Sequence, residues 1–162
     1  MKSENHGEML NLLNSALARE LQVAIQYMIQ HTLMTGKKET VPSVEPSQQK
    51  LNTFIGKHAS MWLPGTNLKK IAVTEMRHAE SIAERIVAME EKPTSQPDTV
   101  MIGDSSQEMI EIDKAAEESA IQLYTEIIDL AKKQVDDITA KLFQQILTDE
   151  KSHLGIFTNM LE

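Results

Sequence analysis

The sequence has 162 residues, of which 41% are hydrophobic and 25% are charged, and these values are typical of one globular domain. Lys and Arg number 16 against 24 Asp and Glu, so the net charge of −8 argues against a partner with a phosphate backbone. The absence of cysteine excludes disulfides, thiol catalysis, Cys-bound zinc and iron–sulfur centres. Without a long apolar run or a signal-peptide core, we expect a cytoplasmic protein that contacts neither membranes nor nucleic acids.

Helix-forming residues fill four long segments, which are separated by regions that hold most of the Gly and Pro residues. The spacing of their apolar residues predicts helices at about residues 7–35, 67–91, 105–133 and 135–161. Because long helices of similar length pack most simply side by side, the sequence predicts an all-α four-helix bundle in a single domain over residues 1–162. The first connection, residues 36–66, is too long for a tight turn, and we expect a crossover that carries a short additional helix.

Charged residues occur where helical spacing surrounds them with apolar neighbours. Four glutamates therefore face the predicted bundle interior, namely Glu20, Glu75, Glu117 and Glu150. Two of them begin a Glu-x-x-His motif that ends at His78 and at His153, and side chains at this spacing project from one helix face. We find no Lys or Arg on the same apolar stripes. Since unpaired buried carboxylates are costly, the four glutamates require cations, and two divalent metal ions would neutralise them.

One Glu from each of two helices, with Glu-x-x-His from each of the other two, is the ligand set of di-iron and di-manganese carboxylate bundles. Mixed carboxylate and imidazole ligands favour Fe or Mn, with zinc as another occupant. Glu-x-x-His spacing is common by chance, so the alternative is that these charges lie on the surface or at the ends of the bundle.

The motifs at these positions resemble those of the bacterioferritins, within the ferritin-like superfamily. The resemblance covers nearly the whole chain except residues 36–66, and it rests on the segments Glu20–Tyr27, Glu75–Glu80 and Asp149–His153. It implies a ferroxidase centre that binds two iron ions through Glu20, Glu75, His78, Glu117, Glu150 and His153. The family's spacing favours Glu117 over the adjacent Glu118. The implied reaction is the oxidation of Fe(II) by dioxygen or peroxide.

Two further residues acquire roles through this resemblance. Tyr27 lies two turns after Glu20 on the same face and would hydrogen-bond a ligand or donate an electron, the alternative being an ordinary core tyrosine. Met76 occupies the position at which bacterioferritins bind a haem shared across a twofold dimer interface, so haem b is implied there. The alternative for Met76 is a methionine that packs at a dimer contact.

The resemblance implies an iron-oxidising and iron-storing homo-oligomer, at least a dimer, that could assemble into a cage. Three departures bear on this expectation. The first connection is long, the sequence ends nine residues after His153 so that we expect no fifth helix, and the absence of cysteine removes any rubredoxin-like domain. Two alternatives stay open, namely a non-cage di-iron oxidoreductase that scavenges peroxide or oxygen, as rubrerythrins do, and a redox-silent metal-binding bundle.

Overall fold

A computed structural model describes residues 2–36 and 64–162, with side chains described over 6–36 and 67–162. These residues form four α-helices: α1 (Lys2–Thr35), α2 (Pro64–Ala88), α3 (Ser106–Lys133) and α4 (Asp137–Leu161). No strand occurs within the described ranges, so the prediction of an all-α four-helix architecture is confirmed. The short helix predicted between residues 36 and 66 falls almost wholly outside the described residues. None of the described helices combines the length and apolarity that crossing a membrane requires.

Helix α1 runs antiparallel to both α2 and α3. The first turns of α1 contact the chain just beyond the end of α2. Against α3, Arg19 contacts Ala116, whereas Gln26, later in α1, contacts Asp113, earlier in α3. Helices α2 and α3 are therefore parallel, so the segment that connects the end of α2 to the start of α3 has to span the length of the bundle.

The α2–α3 connection, residues 89–105, runs along α1 as extended chain; we refer to it as the strap. Backbone N–H groups of Thr94, Asp98 and Met101 donate in order to Asn14, Ala18 and Gln26, at 2.7, 3.0 and 2.9 Å. From the sequence this region was identified only as a break in the helices, since extended chain held by backbone hydrogen bonds leaves no periodic signal.

Two helix ends lie inside their predicted bounds because the chain turns there through left-handed residues. Helix α2 ends at Ala88 rather than near residue 91, and the following Glu90 has φ of 63°. Helix α4 begins at Asp137 rather than 135, because Val135 has φ of 58°. In both turns the next amide bonds back to a carbonyl five residues earlier, at 3.2 Å and 2.9 Å, which is the Schellman geometry that favours glycine.

We expect Val135→Gly to raise the free energy of unfolding by about 0.5–1 kcal/mol, because a β-branched residue is strained at positive φ. The Val135 side chain is 83% exposed, so its loss removes little packing. Urea unfolding followed by circular dichroism measures the effect. The matched control is Val135→Ala, which removes the branch but keeps a Cβ in the left-handed region, and equal gains in both variants would contradict this explanation.

Two apolar clusters fill the bundle on either side of its middle. The larger one is built on residues such as Leu13, Ile82, Tyr124 and Phe143. The smaller one holds Val23, Tyr27, Leu68, Ile71, Ala72, Ile110 and Phe157. Between them lies a layer of buried charged side chains, which is the unusual feature of this core.

Candidate metal centre

The structure brings the six predicted ligands together from all four helices. The glutamates Glu20, Glu75, Glu117 and Glu150 are completely buried, and His78 and His153 are 6% and 7% exposed. One glutamate comes from α1, one from α3, and a Glu-x-x-His pair comes from each of α2 and α4. The alternative placement, on the surface or at the bundle ends, is therefore wrong.

The donor atoms fall into two overlapping groups of four, and within each group they lie within 4.8 Å of one another. The first group is Glu20, Glu75, His78 and Glu150, and the second is Glu75, Glu117, Glu150 and His153. Both groups contain Glu75 and Glu150, whereas each of the other residues belongs to one group only. The arrangement matches two adjacent metal positions that share two carboxylates, each position completed by its own glutamate and imidazole.

Several atoms of the cluster are buried without a well-formed hydrogen bond among the described residues. They are Glu20 Oε2, Glu75 Oε1, both carboxylate oxygens of Glu150 and His153 Nδ1. Such atoms are rare in native proteins because leaving them unpaired is costly. Carboxylate oxygens and imidazole nitrogens are suitable ligands for Fe, Mn or Zn, so the residues present fit a pair of metal ions.

The His78 ring presents Nδ1 to the cluster and Nε2 to the outside. Its Nδ1 atom lies 2.9 Å from Glu75 Oε2 and 3.0 Å from Glu150 Oε1. Its Nε2 atom lies 3.2 Å from a carboxylate oxygen of Asp149, whose side chain is 55% exposed. A carboxylate behind an imidazole fixes the ring orientation and tautomer for metal binding. In the sequence Asp149 is recognisable only as part of a motif, and its contact with His78 could not be predicted.

Two buried tyrosines link α1 and α3 reciprocally. Tyr27 donates its hydroxyl hydrogen to Glu117 Oε1 at 2.5 Å. Tyr124 donates to Glu20 Oε1. Each tyrosine thus holds the glutamate of the opposite helix. Of the two tyrosines, only Tyr27 was predicted to act at the site. The signal for Tyr124 is the seven-residue spacing from Glu20 to Tyr27, which recurs from Glu117 to Tyr124.

Arg19 is a buried cation at the edge of the cluster, so the expectation that no Lys or Arg accompanies the glutamates was wrong. Its guanidinium lies 3.1 Å from Glu20 Oε1 and 3.4 Å from Glu117 Oε2, and the residue is 7% exposed. It also donates to the Ala116 carbonyl at 2.7 Å. Periodicity locates Cβ but not the end of a long side chain, which here reaches across to α3.

In the metal-free protein, the pKa is raised for two of the four glutamates and lowered for the other two. Burial, followed by repulsion from Glu75, raises the pKa of Glu20 well above its usual range. Burial also raises the pKa of Glu117, with Glu150 adding to the shift. Burial acts in the same direction on Glu75 and Glu150, but polar neighbours, above all the two imidazoles for Glu75 and Glu117 for Glu150, outweigh it and lower their pKa.

The two imidazoles respond to the carboxylates around them. Burial alone would lower the pKa of His153, but Glu150 and Glu75 raise it to about 9. The pKa of His78 is raised further, because Glu150, Glu20 and Glu75 together outweigh its burial. In the metal-free protein the surrounding carboxylates therefore favour the protonated form of both rings, so that protons compete with metal ions for these nitrogens.

Met76 lies on the outer face of α2, away from the cluster, and is 50% exposed. It lines an open groove of about 470 Å³ between α1 and α2. The other apolar residues that line the groove are Ala24, Ile25, Met28, Ile29, Ala72 and Val73.

Comparison with known proteins agrees with this fold and site. Residues 65–162 match the family model of the ferritin-like domain, so the chain contains a ferritin-like domain. The bacterioferritin of Desulfovibrio desulfuricans is 31% identical over 160 residues, an alignment that covers 98% of this chain and 77% of the relative. The bacterioferritin of Mycolicibacterium paratuberculosis is 29% identical over 156 residues, covering 96% of this chain and 84% of the relative. This chain belongs to the bacterioferritin family.

Solved structures show the same likeness. A crystal structure of D. desulfuricans bacterioferritin, described by its diiron site in different catalytic states, superposes with a TM-score of 0.75 at 30% identity and covers 99% of this chain and 82% of its own. The Rhodobacter capsulatus bacterioferritin, solved with a metal-free dinuclear site and a haem iron, gives a TM-score of 0.73 at 24% identity, with 96% and 84% covered. At that identity the second likeness supports the fold alone.

Proposed function

We propose that this protein is a ferroxidase that oxidises Fe(II) to Fe(III) at the six-residue cluster and serves iron storage. The observation that carries the proposal is the sorting of four fully buried glutamates and two imidazoles into two overlapping donor groups. The diiron site of the D. desulfuricans relative supports iron as the metal, with Mn and Zn as alternative occupants.

Glu75 and Glu150, which belong to both donor groups, would contribute to holding both Fe(II) ions, and Glu20, His78, Glu117 and His153 would each contribute to one position. Two Fe(II) ions supply two electrons, which with two protons reduce one dioxygen to hydrogen peroxide or one peroxide to two waters. Tyr27 keeps Glu117 oriented through its 2.5 Å hydrogen bond, and it lies close enough to supply an electron or a proton through that bond.

The direct test is an anaerobic titration of the metal-free protein with Fe(II), followed by admission of oxygen. We expect two tightly bound equivalents per chain and prompt formation of Fe(III), measured by its absorbance. Absence of saturable binding would contradict the proposal.

A matched pair of neighbouring glutamates tests the ligand contributed by α3. We expect Glu117→Gln to weaken binding of one Fe(II) equivalent and to slow oxidation at least about tenfold, because Glu117 is fully buried in the cluster. Glu118→Gln should behave as the unmodified protein, since Glu118 is exposed and pairs with Lys114 at 3.5 Å. Equal effects of the two changes would show that Glu117 is not a ligand.

We also propose that two copies of the chain associate through the α1–α2 groove and hold haem b between their Met76 side chains. The half-exposed thioether in an apolar groove supports this assignment. Met76→Leu should abolish the haem spectrum on titration with haem, whereas Met28→Leu, in the same groove, should retain it. Analytical ultracentrifugation would measure whether the chain forms a dimer. We also propose, from the family resemblance, that the protein assembles further into a cage and is located in the cytoplasm.

A further inference from the structure

The metal centre has two chemically different sides. Both imidazoles come from α2 and α4, and their rings lie 6.3 Å apart. On the α1–α3 side the guanidinium of Arg19 lies between Glu20 and Glu117, one glutamate from each metal position. A third carboxylate oxygen, from Glu150, lies 4.0 Å from Arg19 Nη1. A permanent positive charge therefore lies next to both proposed metal positions.

Arg19 is fixed in this place by neutral acceptors as well as by carboxylates. Its Nη1 donates to the Tyr124 hydroxyl at 3.2 Å, and its Nη2 donates to the Ala116 carbonyl at 2.7 Å. Its guanidinium also lies 5.7 Å from the centre of the Tyr124 ring. Contacts to the α3 backbone and to a buried ring would hold the guanidinium in place when its carboxylate partners bind metal.

The sum of the formal charges at the centre indicates the role of Arg19. The four cluster glutamates and two divalent ions sum to zero, so Arg19 adds one positive charge to this set. After oxidation the two ions carry six charges against four, and Arg19 increases the excess from two to three. Repulsion at this range inside a protein is weakly screened.

We propose that Arg19 is a built-in counter-cation: it holds Glu20 and Glu117 in the metal-free protein and weakens the binding of metal ions at both positions. This inference rests on the proposed function and deepens it, because it makes the centre a site through which iron passes rather than one that retains iron. Arg19 acts here as a positioning residue and not as a metal ligand.

The test measures metal affinity, using Co(II) alone as the probe. Metal-free Arg19→Gln should bind two Co(II) at least tenfold more tightly than the unmodified protein and release them more slowly to a chelator, while its thermal midpoint without metal falls. Arg85→Gln is the matched control, because Arg85 is partly buried and pairs with Asp136 at 2.8 Å, away from the centre. This control should lower the midpoint and leave Co(II) affinity unchanged.

Arg19→Lys separates charge from structure, since it keeps the positive charge and should bind Co(II) within threefold of the unmodified protein. Unchanged or weaker Co(II) binding by Arg19→Gln would overturn the inference, as would equal tightening by the Gln and Lys variants or by Arg85→Gln. Failure of the unmodified protein to bind two Co(II) would instead contradict the proposed function.

Discussion

Glu75→Gln is expected to abolish paired metal binding and to slow the oxidation of Fe(II) at least about 100-fold. Glu75 belongs to both donor groups, and its oxygens lie 2.9 Å from His78 Nδ1 and 2.8 Å from His153 Nδ1. An amide keeps nearly the same shape but loses the charge and one of the two oxygens that a bridge between metal ions requires. One change therefore removes a ligand from both positions.

Rapid mixing of the metal-free variant with Fe(II) and oxygen, followed by absorbance, measures this effect. Glu84→Gln is the control, since Glu84 lies on the same helix but is exposed. Circular dichroism of both variants establishes that the bundle is intact. Oxidation by Glu75→Gln at the unmodified rate would show that the carboxylate does not bridge the metals.

Asp113→Asn is expected to stabilise the metal-free protein by roughly 3 kcal/mol at pH 8. Asp113 is completely buried next to α1; its Oδ1 accepts from Gln26 Nε2 at 2.8 Å, and its Oδ2 makes no hydrogen bond among the described residues. Burial raises the pKa of Asp113 to about 7, although the amide groups of Gln26 and Gln30 oppose the shift.

The sign of the pH dependence follows from that pKa. Between the unfolded value of 3.8 and about 7, the folded chain holds a proton on Asp113 that the unfolded chain releases. The contribution of Asp113 to stability is therefore lost as the pH rises through this window. The gain from Asp113→Asn should be about 2.5 kcal/mol larger at pH 8 than at pH 5, as measured by urea unfolding. Asp129→Asn, exposed on the same helix, should show no such difference, and a pH-independent gain for Asp113→Asn would contradict the burial argument.

The sequence was sufficient to predict the parts of the molecule that depend on local periodicity. The four helices follow from apolar spacing, and α3 begins where the Ser105 hydroxyl accepts from the Glu108 amide, a cap of the residue type that favours a helix start. The clustering of the six predicted ligands follows from the same pattern, because a glutamate surrounded by apolar residues on its helix face has to be buried when that face packs.

The remaining features depend on where side chains end and on which helices become neighbours. Arg19 and Asp149 reach their partners through long or exposed side chains whose direction no spacing rule gives. Burial of Asp113 requires the strap and α1 to cover α3, since Gln26 bonds both Asp113 and the amide of Met101. The parallel relation of α2 and α3 is likewise a property of the assembled bundle.

The reciprocal arrangement of α1–α2 and α3–α4 has a consequence for assembly of the chain. Each helical hairpin carries a glutamate and a tyrosine on its first helix and Glu-x-x-His on its second. Neither hairpin holds a complete donor group, because the first group borrows Glu150 from the second hairpin and the second group borrows Glu75 from the first. In the proposed function, metal binding would therefore connect the two halves of the molecule and would require both to have docked, so iron binding would also report that folding is complete.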